Sequence, residues 1–384
     1  MRILQVHNRY TEPGGEDVVV ESERSALEGA GHSVHAMLAE NRMGLAGVTS
    51  LALSPWNPLS ARRLATVLSA ASPDVAHVHN TWFQLSPSIF PVLRDAGVPV
   101  VATVHNYRHA CLNGQLFREG EICTLCVGRH PLPGVVRGCY RGSMPQSAAL
   151  AVSVSLGRAN SFWADSIDRF VAMTDFERDQ LVGFGLPADR ITVKPHFVED
   201  GGVRTTPPSG GDTLLFVGRL TVEKGVETLL QAWEAASPSN LRLKVVGDGP
   251  LRDRLEGSAQ SSVEFTGWLP RHEVAAEMRR TRSLLFPSVW YETFGLVAIE
   301  AMVAGTPVLA SDLGGIPQVL DAAGSDLLAP PGDVDAWAQR LRAIDEGSVD
   351  VDEVGSHNRK VYEARYTVER GVAALESLYG SVFG

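Results

Sequence analysis

Two doubly wound α/β domains joined by a linker are the fold this sequence predicts. Three observations point there. Short β-branched runs alternate with amphipathic stretches through the first half of the 384 residues. A segment rich in Gly, Pro and Ser, 199–212 (EDGGVRTTPPSGGD), then breaks the pattern without any periodicity of its own, and the alternation restarts after it. Strands alternating with helices make a parallel sheet covered on both faces, and a structureless Gly/Pro stretch between two such series marks a domain boundary.

Taken in order, the strand runs of the first half are RILQVH (2–7), HSVHAML (32–38), DVAHVH (74–79), VPVVATVH (98–105), RFVAM (169–173) and RITVKP (190–195), with helical stretches such as 17–30 and 59–71 between them. The second half supplies TLLFVGRL (213–220), LRLKVVGDG (241–249), SVEFTGW (262–268), SLLFPS (283–288), TPVLAS (306–311) and SDLLAP (325–330). The boundaries read from this are 1–198 and 199–366, with a last helix at 367–384 crossing back to the first domain. Ligands of such sheets sit beyond the carboxyl ends of the strands, so residues that follow strands are the candidates.

Composition narrows the class. Hydrophobic residues make up 44% and charged residues 20%, as expected of a globular chain with room for two cores. The net charge is −10, and it is uneven: residues 1–198 carry 17 basic and 17 acidic residues, and the remainder 17 against 27. That balance argues against a nucleic-acid partner, which needs basic surface. Only four of the 34 basic residues are lysine, a bias expected of a GC-rich bacterial genome. The longest apolar runs, such as AALAVSVSL (148–156), fall well short of the roughly 20 residues of a membrane span. The start, MRILQVHNRY, has a strand pattern and lacks the h-region and cleavage site of a secretory signal, so the expected location is cytoplasmic.

Three stretches carry chemistry. In FVGRLTVEKG (216–225) a strand ends and two cations, Arg219 and Lys224, follow in its turn. Arg can grip phosphate oxygens bidentately and Lys can add a point charge; the plain alternative is a solvated loop with a helix-flanking lysine. In YETFGLVAIE (291–300), Glu292 and Glu300 lie eight positions apart around a glycine. One helix would set them about 80° apart, neither stacked nor opposed. A loop ending at Gly295 and a helix starting at Leu296 explain the pattern better, with Glu292 in front of the helix N-terminus and Glu300 one turn in. Such a terminus suits a diphosphate, and carboxylates beside it make sense if they accept hydrogen bonds from sugar hydroxyls: Glu292 from the sugar, Glu300 from the ribose. Glu292 could instead simply complement the helix dipole, whereas an acid inside LVAIEAMVAG is costly unless partnered. In YTEPGGED (10–17), Gly14 and Gly15 leave backbone amides accessible before a helix expected from about Asp17. His77 and His79 share one strand and are read as one facing the core and the other the cleft. The DVD of 333–335 reads as a helix N-cap rather than a metal-binding Asp-x-Asp.

As an ordered set, GGE after strand one, PDVAHVHN (73–80), ATVHNYR (102–108), GRLTVEKG, VVGDGP (245–250), ETFGLVAIEAMVAGTPVLAS and GGIP (314–317) resemble retaining glycosyltransferase family 4 of the GT-B fold, over nearly the whole chain. The resemblance implies transfer of a sugar from a nucleotide-diphosphate sugar to a saccharide, lipid-linked or natural-product acceptor, with anomeric configuration kept and no catalytic divalent metal. It makes 1–198 the acceptor side and 199–366 the nucleotide-sugar side. It places Gly14 and Gly15 near the donor diphosphate, Arg219 and Lys224 on it, Glu300 on the ribose, and Glu292 on the donor sugar. His105 stands beside the reacting face, and Phe294, Gly295 and Leu296 line the phosphate loop. Attack from the front face is implied, with the leaving phosphate taking the acceptor's proton and His105 orienting the donor rather than acting as a base. The chain departs from the pattern at KPHFVED (194–200), where many relatives carry an Asn-Gly turn. Two rival readings are a sugar-nucleotide 2-epimerase on the same scaffold and a catalytically silent, zinc-pinned binding module. The intact Glu292, Glu300, Arg219, Lys224 and His105 argue against the second.

All four cysteines, Cys111, Cys123, Cys126 and Cys139, fall within 29 residues at the spacing C-x11-C-x2-C-x12-C. This reads as a structural zinc site, with thiols or disulfides as the alternatives. The same loop carries Arg108, Arg118, Arg129, Arg137 and Arg141. These could select a phosphorylated acceptor, contact an anionic membrane surface peripherally, or simply be solvated.

Overall fold

The structure is a computed structural model that describes residues 1–10, 14–41, 44–159, 165–322 and 325–383. The chain folds into two compact units. One comprises Met1–Leu116, Cys123–Pro195 and Glu369–Gly384, the other Phe117–Ile122 and His196–Val368.

In the first unit the strands β1 (Arg2–Arg9), β2 (Ser33–Glu40), β3 (Val75–Asn80) and β4 (Val100–Thr103) are joined by β7 (Arg169–Ala172) and β8 (Ile191–Val193); the short antiparallel pair β5 (Phe117–Arg118) and β6 (Glu121–Ile122), which comes between them in the chain, belongs to the second unit. Their order is β2-β1-β3-β4-β7-β8, all parallel. Every residue of β3 and β4 is buried, which is why the β4 run is nearly all apolar and why the polar side chains of β3, His77, His79 and Asn80, lie inside the protein. Leu4, Val78, Ala102 and Phe170 pack against Leu64 and Leu181 of the covering helices. The chain leaves β1 toward one edge and returns at β3 on the other side, so the crevice between the carboxyl ends of β1 and β3 is the topological switch point.

The second unit repeats the plan with β9 (Thr213–Val217), β10 (Arg242–Val246), β11 (Val263–Gly267), β12 (Ser283–Phe286), β13 (Val308–Ser311) and β14 (Leu328–Ala329), ordered β11-β10-β9-β12-β13-β14 and again all parallel. Its switch point lies between β9 and β12. The core is built on Leu214, Phe216, Val245 and Leu285, with the fully buried indoles of Trp233 and Trp337 over them. The helix Leu296–Ala304 is apolar nearly all round, and six of its nine residues are buried. Such a helix belongs in the interior. The linker carries one 3-10 turn, Pro208–Gly210, and no strand. Asp333 caps the helix Val334–Asp345 by accepting from the Ala336 amide at 2.9 Å, as the N-cap reading expected.

The helix Val368–Gly380 lies in the first unit from Glu369 on, and there the Tyr379 hydroxyl meets His77 Nδ1 at 2.8 Å. His77 and His79 correct the expectation that they face opposite ways. Residues two apart on a strand share a face, and both rings are buried, 4.2 Å apart between centroids. Among the described residues no helix is long and apolar enough to cross a membrane.

Candidate functional site

At the switch point of the second unit the loops after β9 and β12 are tied together. The Val289 amide donates to the Glu223 carbonyl at 2.9 Å. Gly225, at φ 69°, sits so close that a Cβ there would lie 1.8 Å from the Pro287 carbonyl oxygen. Only glycine permits both the backbone angle and the approach. The loop after β10 closes in from the other side, where a Cβ on Gly247 would lie 1.9 Å from the Gly218 oxygen.

This backbone frame brings Lys224 Nζ to 2.7 Å from Glu292 Oε1, which also accepts from the Ser288 hydroxyl at 2.7 Å. The ammonium lies 5.3 Å from the centre of the Trp290 ring, within cation–π range. Glu292 is 6% exposed, so its charge is answered inside the protein by lysine and serine. Arg219 projects from the same loop as Lys224 and is exposed. Gly295, left-handed at φ 85°, starts the helix at Leu296, and Phe294 is clamped edge-on between the rings of His196 and Tyr366. Glu300 stands one turn in, its side chain 26% exposed and 3.5 Å from Arg271. Desolvation raises its pKa, with Arg271 opposing. The Lys224–Glu292 pair thus lies on the loops that precede the helix N-terminus, with Arg219 on the same loop as Lys224 and Glu300 one turn into the helix, residue types able to take an anion flanked by hydroxyls.

In the first unit the glycine turn starts its helix at Gly15, two residues earlier than expected, with Gly14 as N-cap. Asp17 closes the turn, accepting from the Gly14 amide at 3.0 Å through Oδ2 while Oδ1 meets His7 Nε2 at 3.0 Å. His105 follows β4 and is buried, with its Nε2 3.1 Å from His79 Nδ1. It lines a pocket at the ends of β3 and β4 with Asn80, Trp82, Asn106 and His109. Sequence reasoning passed over Glu16, whose carboxylate takes the Asn106 amide at 3.0 Å and the Asn80 amide at 3.3 Å. Burial pushes its pKa up to about 7 despite the Asn106 hydrogen bond. The signal that could have found this group is the repeated Val-His-Asn ending both strand runs. Arg108, expected in a surface patch, instead lies with its guanidinium 5.6–5.9 Å from the ring centres of Tyr10, Phe83 and Tyr140.

The four cysteines are thiols, not disulfides. Burial raises the pKa of Cys126, and the neighbouring Cys111 and Cys123 add to the rise. Cys111 Sγ donates to Asn113 Oδ1 at 2.8 Å, and Cys139 packs at the edge of the cluster of Trp82, Phe83 and Leu112. Among the described residues the group with three metal-capable atoms within 4.8 Å of one another is Glu23, His77 and His79; the cysteines form no such group.

Comparison with known proteins follows the same division. Residues 211–345 match the family model for glycosyl transferases group 1, and residues 14–196 match a glycosyl transferase 4-like domain. A 2-deoxystreptamine glucosyltransferase of Streptomyces kanamyceticus is 30% identical over 71% of this chain and 68% of its own. A 2-deoxystreptamine N-acetyl-D-glucosaminyltransferase of Streptomyces fradiae is 28% identical over 83% and 72%. The match to a Mycobacterium tuberculosis glycogen synthase, 29% identical, spans 60% of that protein. Among solved structures, a sucrose-phosphate synthase from Thermosynechococcus elongatus superposes with a TM-score of 0.73 at 20% identity, covering 99% of this chain and 98% of its own. HepE of Anabaena, solved with UDP and glucose, gives 0.68 at 17% identity, covering 99% and 100%.

Proposed function

The chain belongs to the group 1 glycosyltransferases of the GT-B fold, enzymes that transfer glycosyl groups, and from that premise we propose that it is a retaining enzyme using a nucleotide-diphosphate sugar. The observation that carries the donor assignment is the Lys224–Glu292 contact between the loops after β9 and β12, at the switch point where α/β sheets take ligands. Lys224 and Arg219 bind the diphosphate with the backbone of Phe294, Gly295 and Leu296. Glu300 holds the ribose, and Glu292 holds the donor sugar. Gly14, Gly15 and His105 are substrate contacts supplied by the first unit. The name of the HepE complex supports a uridine nucleotide as the first donor to try.

Departure of the diphosphate builds negative charge on the leaving group and oxocarbenium character on the sugar. Lys224, Arg219 and the helix N-terminus answer the first. No carboxylate is needed as a nucleophile if the acceptor enters from the face the diphosphate leaves, passing its proton to the leaving phosphate. That stereochemistry gives retention. Two relatives are named for 2-deoxystreptamine, which supports a polyhydroxylated small-molecule acceptor among the saccharide, lipid-linked and natural-product classes. We also propose a structural zinc at Cys111, Cys123, Cys126 and Cys139, supported by their C-x11-C-x2-C-x12-C spacing and by the nearness of Cys111 and Cys123 to Cys126, whose thiol they help to push up, and a cytoplasmic location.

Calorimetric titration with a panel of nucleoside diphosphates and their sugars tests the donor assignment. Saturable binding that needs the diphosphate is the expected result, and binding no tighter for diphosphates than for nucleosides removes it. The anomeric configuration of the product, read by NMR, tests retention.

A further inference from the structure

Glu23 and Lys194 are 171 positions apart in the chain and form an ion pair in the interior of the first unit, with both side chains no more than 3% exposed. Four imidazoles share that interior. His77 spends both nitrogens locally, Nδ1 on the Tyr379 hydroxyl and Nε2 on the Thr103 hydroxyl, each at 2.8 Å. His79 stands between the ion pair and the pocket: its Nε2 is 3.6 Å from Glu23 Oε2, and its Nδ1 is 3.1 Å from His105 Nε2.

We propose that Glu23 is a positioning residue that acts through His79 to decide which nitrogen of His105 carries the proton. Two imidazoles that share an N···N hydrogen bond must divide the roles, one ring giving N–H and the other a lone pair. At 3.6 Å the Glu23 carboxylate is beyond hydrogen-bond reach of His79 Nε2, but its negative charge favours the tautomer that carries the hydrogen on that nitrogen. That leaves His79 Nδ1 as a lone pair, which must receive the hydrogen of His105 Nε2. His105 is then left with Nδ1 as its accepting nitrogen. Burial keeps both rings neutral by lowering their pKa values well below the usual imidazole value, so the tautomer, not the charge, is what the relay transmits. The catalytic meaning of this order rests on the reading of His105 as a substrate contact: the ring accepts a hydrogen bond from a substrate hydroxyl and does not donate one.

A divalent cation among Glu23, His77 and His79 is the competing use of the same atoms. It is disfavoured by the Lys194 ammonium on the same carboxylate and by hydrogen bonds already made at both nitrogens of His77.

The test is long-range ¹H–¹⁵N correlation NMR of the full chain labelled in histidine, with the His105 and His79 rings assigned from His105→Gln and His79→Gln. In the wild type both rings are expected to be protonated on Nε2. In Glu23→Gln, Lys194 can only donate and so takes the glutamine carbonyl, which turns the amide NH₂ toward His79 Nε2. Both tautomers should then invert, placing the His105 proton on Nδ1. If that variant does not fold, Glu23→Leu with Lys194→Met removes the charge pair, and two tautomers of His105 are expected. A wild-type His105 protonated on Nδ1, or the same single tautomer in wild type and variant, overturns the proposal. So does a one-equivalent shift of the His79 resonances on adding zinc. None of these readouts needs a nucleotide, so calorimetric binding of nucleoside diphosphates judges the donor reading separately.

Discussion

Lys224 Nζ and Glu292 Oε1 are 2.7 Å apart, and the bond joins the loop after β9 to the loop after β12. Lys224 therefore neutralises a buried carboxylate, and on the proposed assignment it also meets the diphosphate. Removing it withdraws a charge-assisted contact from the ligand, worth about 1.5–3 kcal/mol, and leaves Glu292 with the Ser288 hydroxyl alone. Lys224→Ala should thus weaken nucleoside diphosphate binding by roughly ten- to a hundredfold while nucleoside binding changes little. The double variant Lys224→Ala, Glu292→Gln should lose less stability than the two single losses added, because the orphaned charge is gone. Calorimetry and thermal unfolding check the two statements; equal diphosphate affinity in mutant and wild type would take Lys224 out of the site.

What the sequence made legible here was local. A glycine before an apolar run announced the helix at Leu296, and Asp333 announced its own cap, because both signals lie within one turn of the element they start. The period of two was equally available at His77 and His79 and was misread. The Glu23–Lys194 pair was out of reach for a physical reason: an acid in an amphipathic helix reads as solvent-facing, and its partner is 171 residues away. Arg108 was hidden in the same way, since nothing beside it in the chain shows the three rings that surround it.

The two carboxylates should separate kinetically. On the proposed assignment Glu300 holds the ribose, which is bound alike in ground and transition states, so Glu300→Gln should raise KM with kcat nearly kept, at a cost of about 1–2 kcal/mol. On the same proposal Glu292 holds the sugar that reacts, so Glu292→Gln should lower kcat at least about tenfold, some 1.4 kcal/mol of transition-state stabilisation. Steady-state rates with saturating acceptor decide it, and reversed effects would exchange the two assignments.

Gly225→Ala should damage the second unit and the site together. A left-handed alanine costs about 1–2 kcal/mol, and the collision with the Pro287 carbonyl adds about 1–3 kcal/mol of overpacking. The matched control is Gly257→Ala, in the helix Arg252–Ser258, where a Cβ meets nothing within 4 Å and should stabilise by up to about 1 kcal/mol. Urea unfolding of the two variants should move in opposite directions. A neutral Gly225→Ala would mean the loops after β9 and β12 can part freely.

Glu16 makes a prediction in pH. Its folded pKa of about 7 lies above the ordinary carboxyl value of 4.5, so the folded protein holds the proton more tightly between those values. The folded state then loses relative stability as pH rises from 4.5 to 7, with no contribution below that window and a constant one above it. Glu16→Gln mimics the protonated form and keeps an acceptor for Asn106. Its stability relative to wild type should start near zero at pH 4 and climb to a plateau above pH 7, on the order of 1–3 kcal/mol. Paired urea titrations across that range check the slope; a difference independent of pH would place the carboxylate in water.

Zinc gives the last test. A tetrahedral ion with Zn–S bonds of about 2.3 Å holds every pair of sulfurs roughly 3.8 Å apart, closer than any three of the cysteine sulfurs stand together as thiols. Binding would therefore draw Cys139 from the edge of its apolar cluster and take Cys111 from Asn113. Protein expressed with zinc and purified without chelator should carry about one ion per chain, with the four thiolates closing the shell and leaving no position for water. Chelation should release it, expose four thiols to titration and loosen the segment between Cys111 and Cys139, while nucleoside diphosphate binding at Lys224 persists. The last clause follows from where the groups lie, since the cysteines belong to the first unit and Lys224 to the second. Metal-free protein with four titratable thiols and undiminished transfer would assign the cysteines to packing alone.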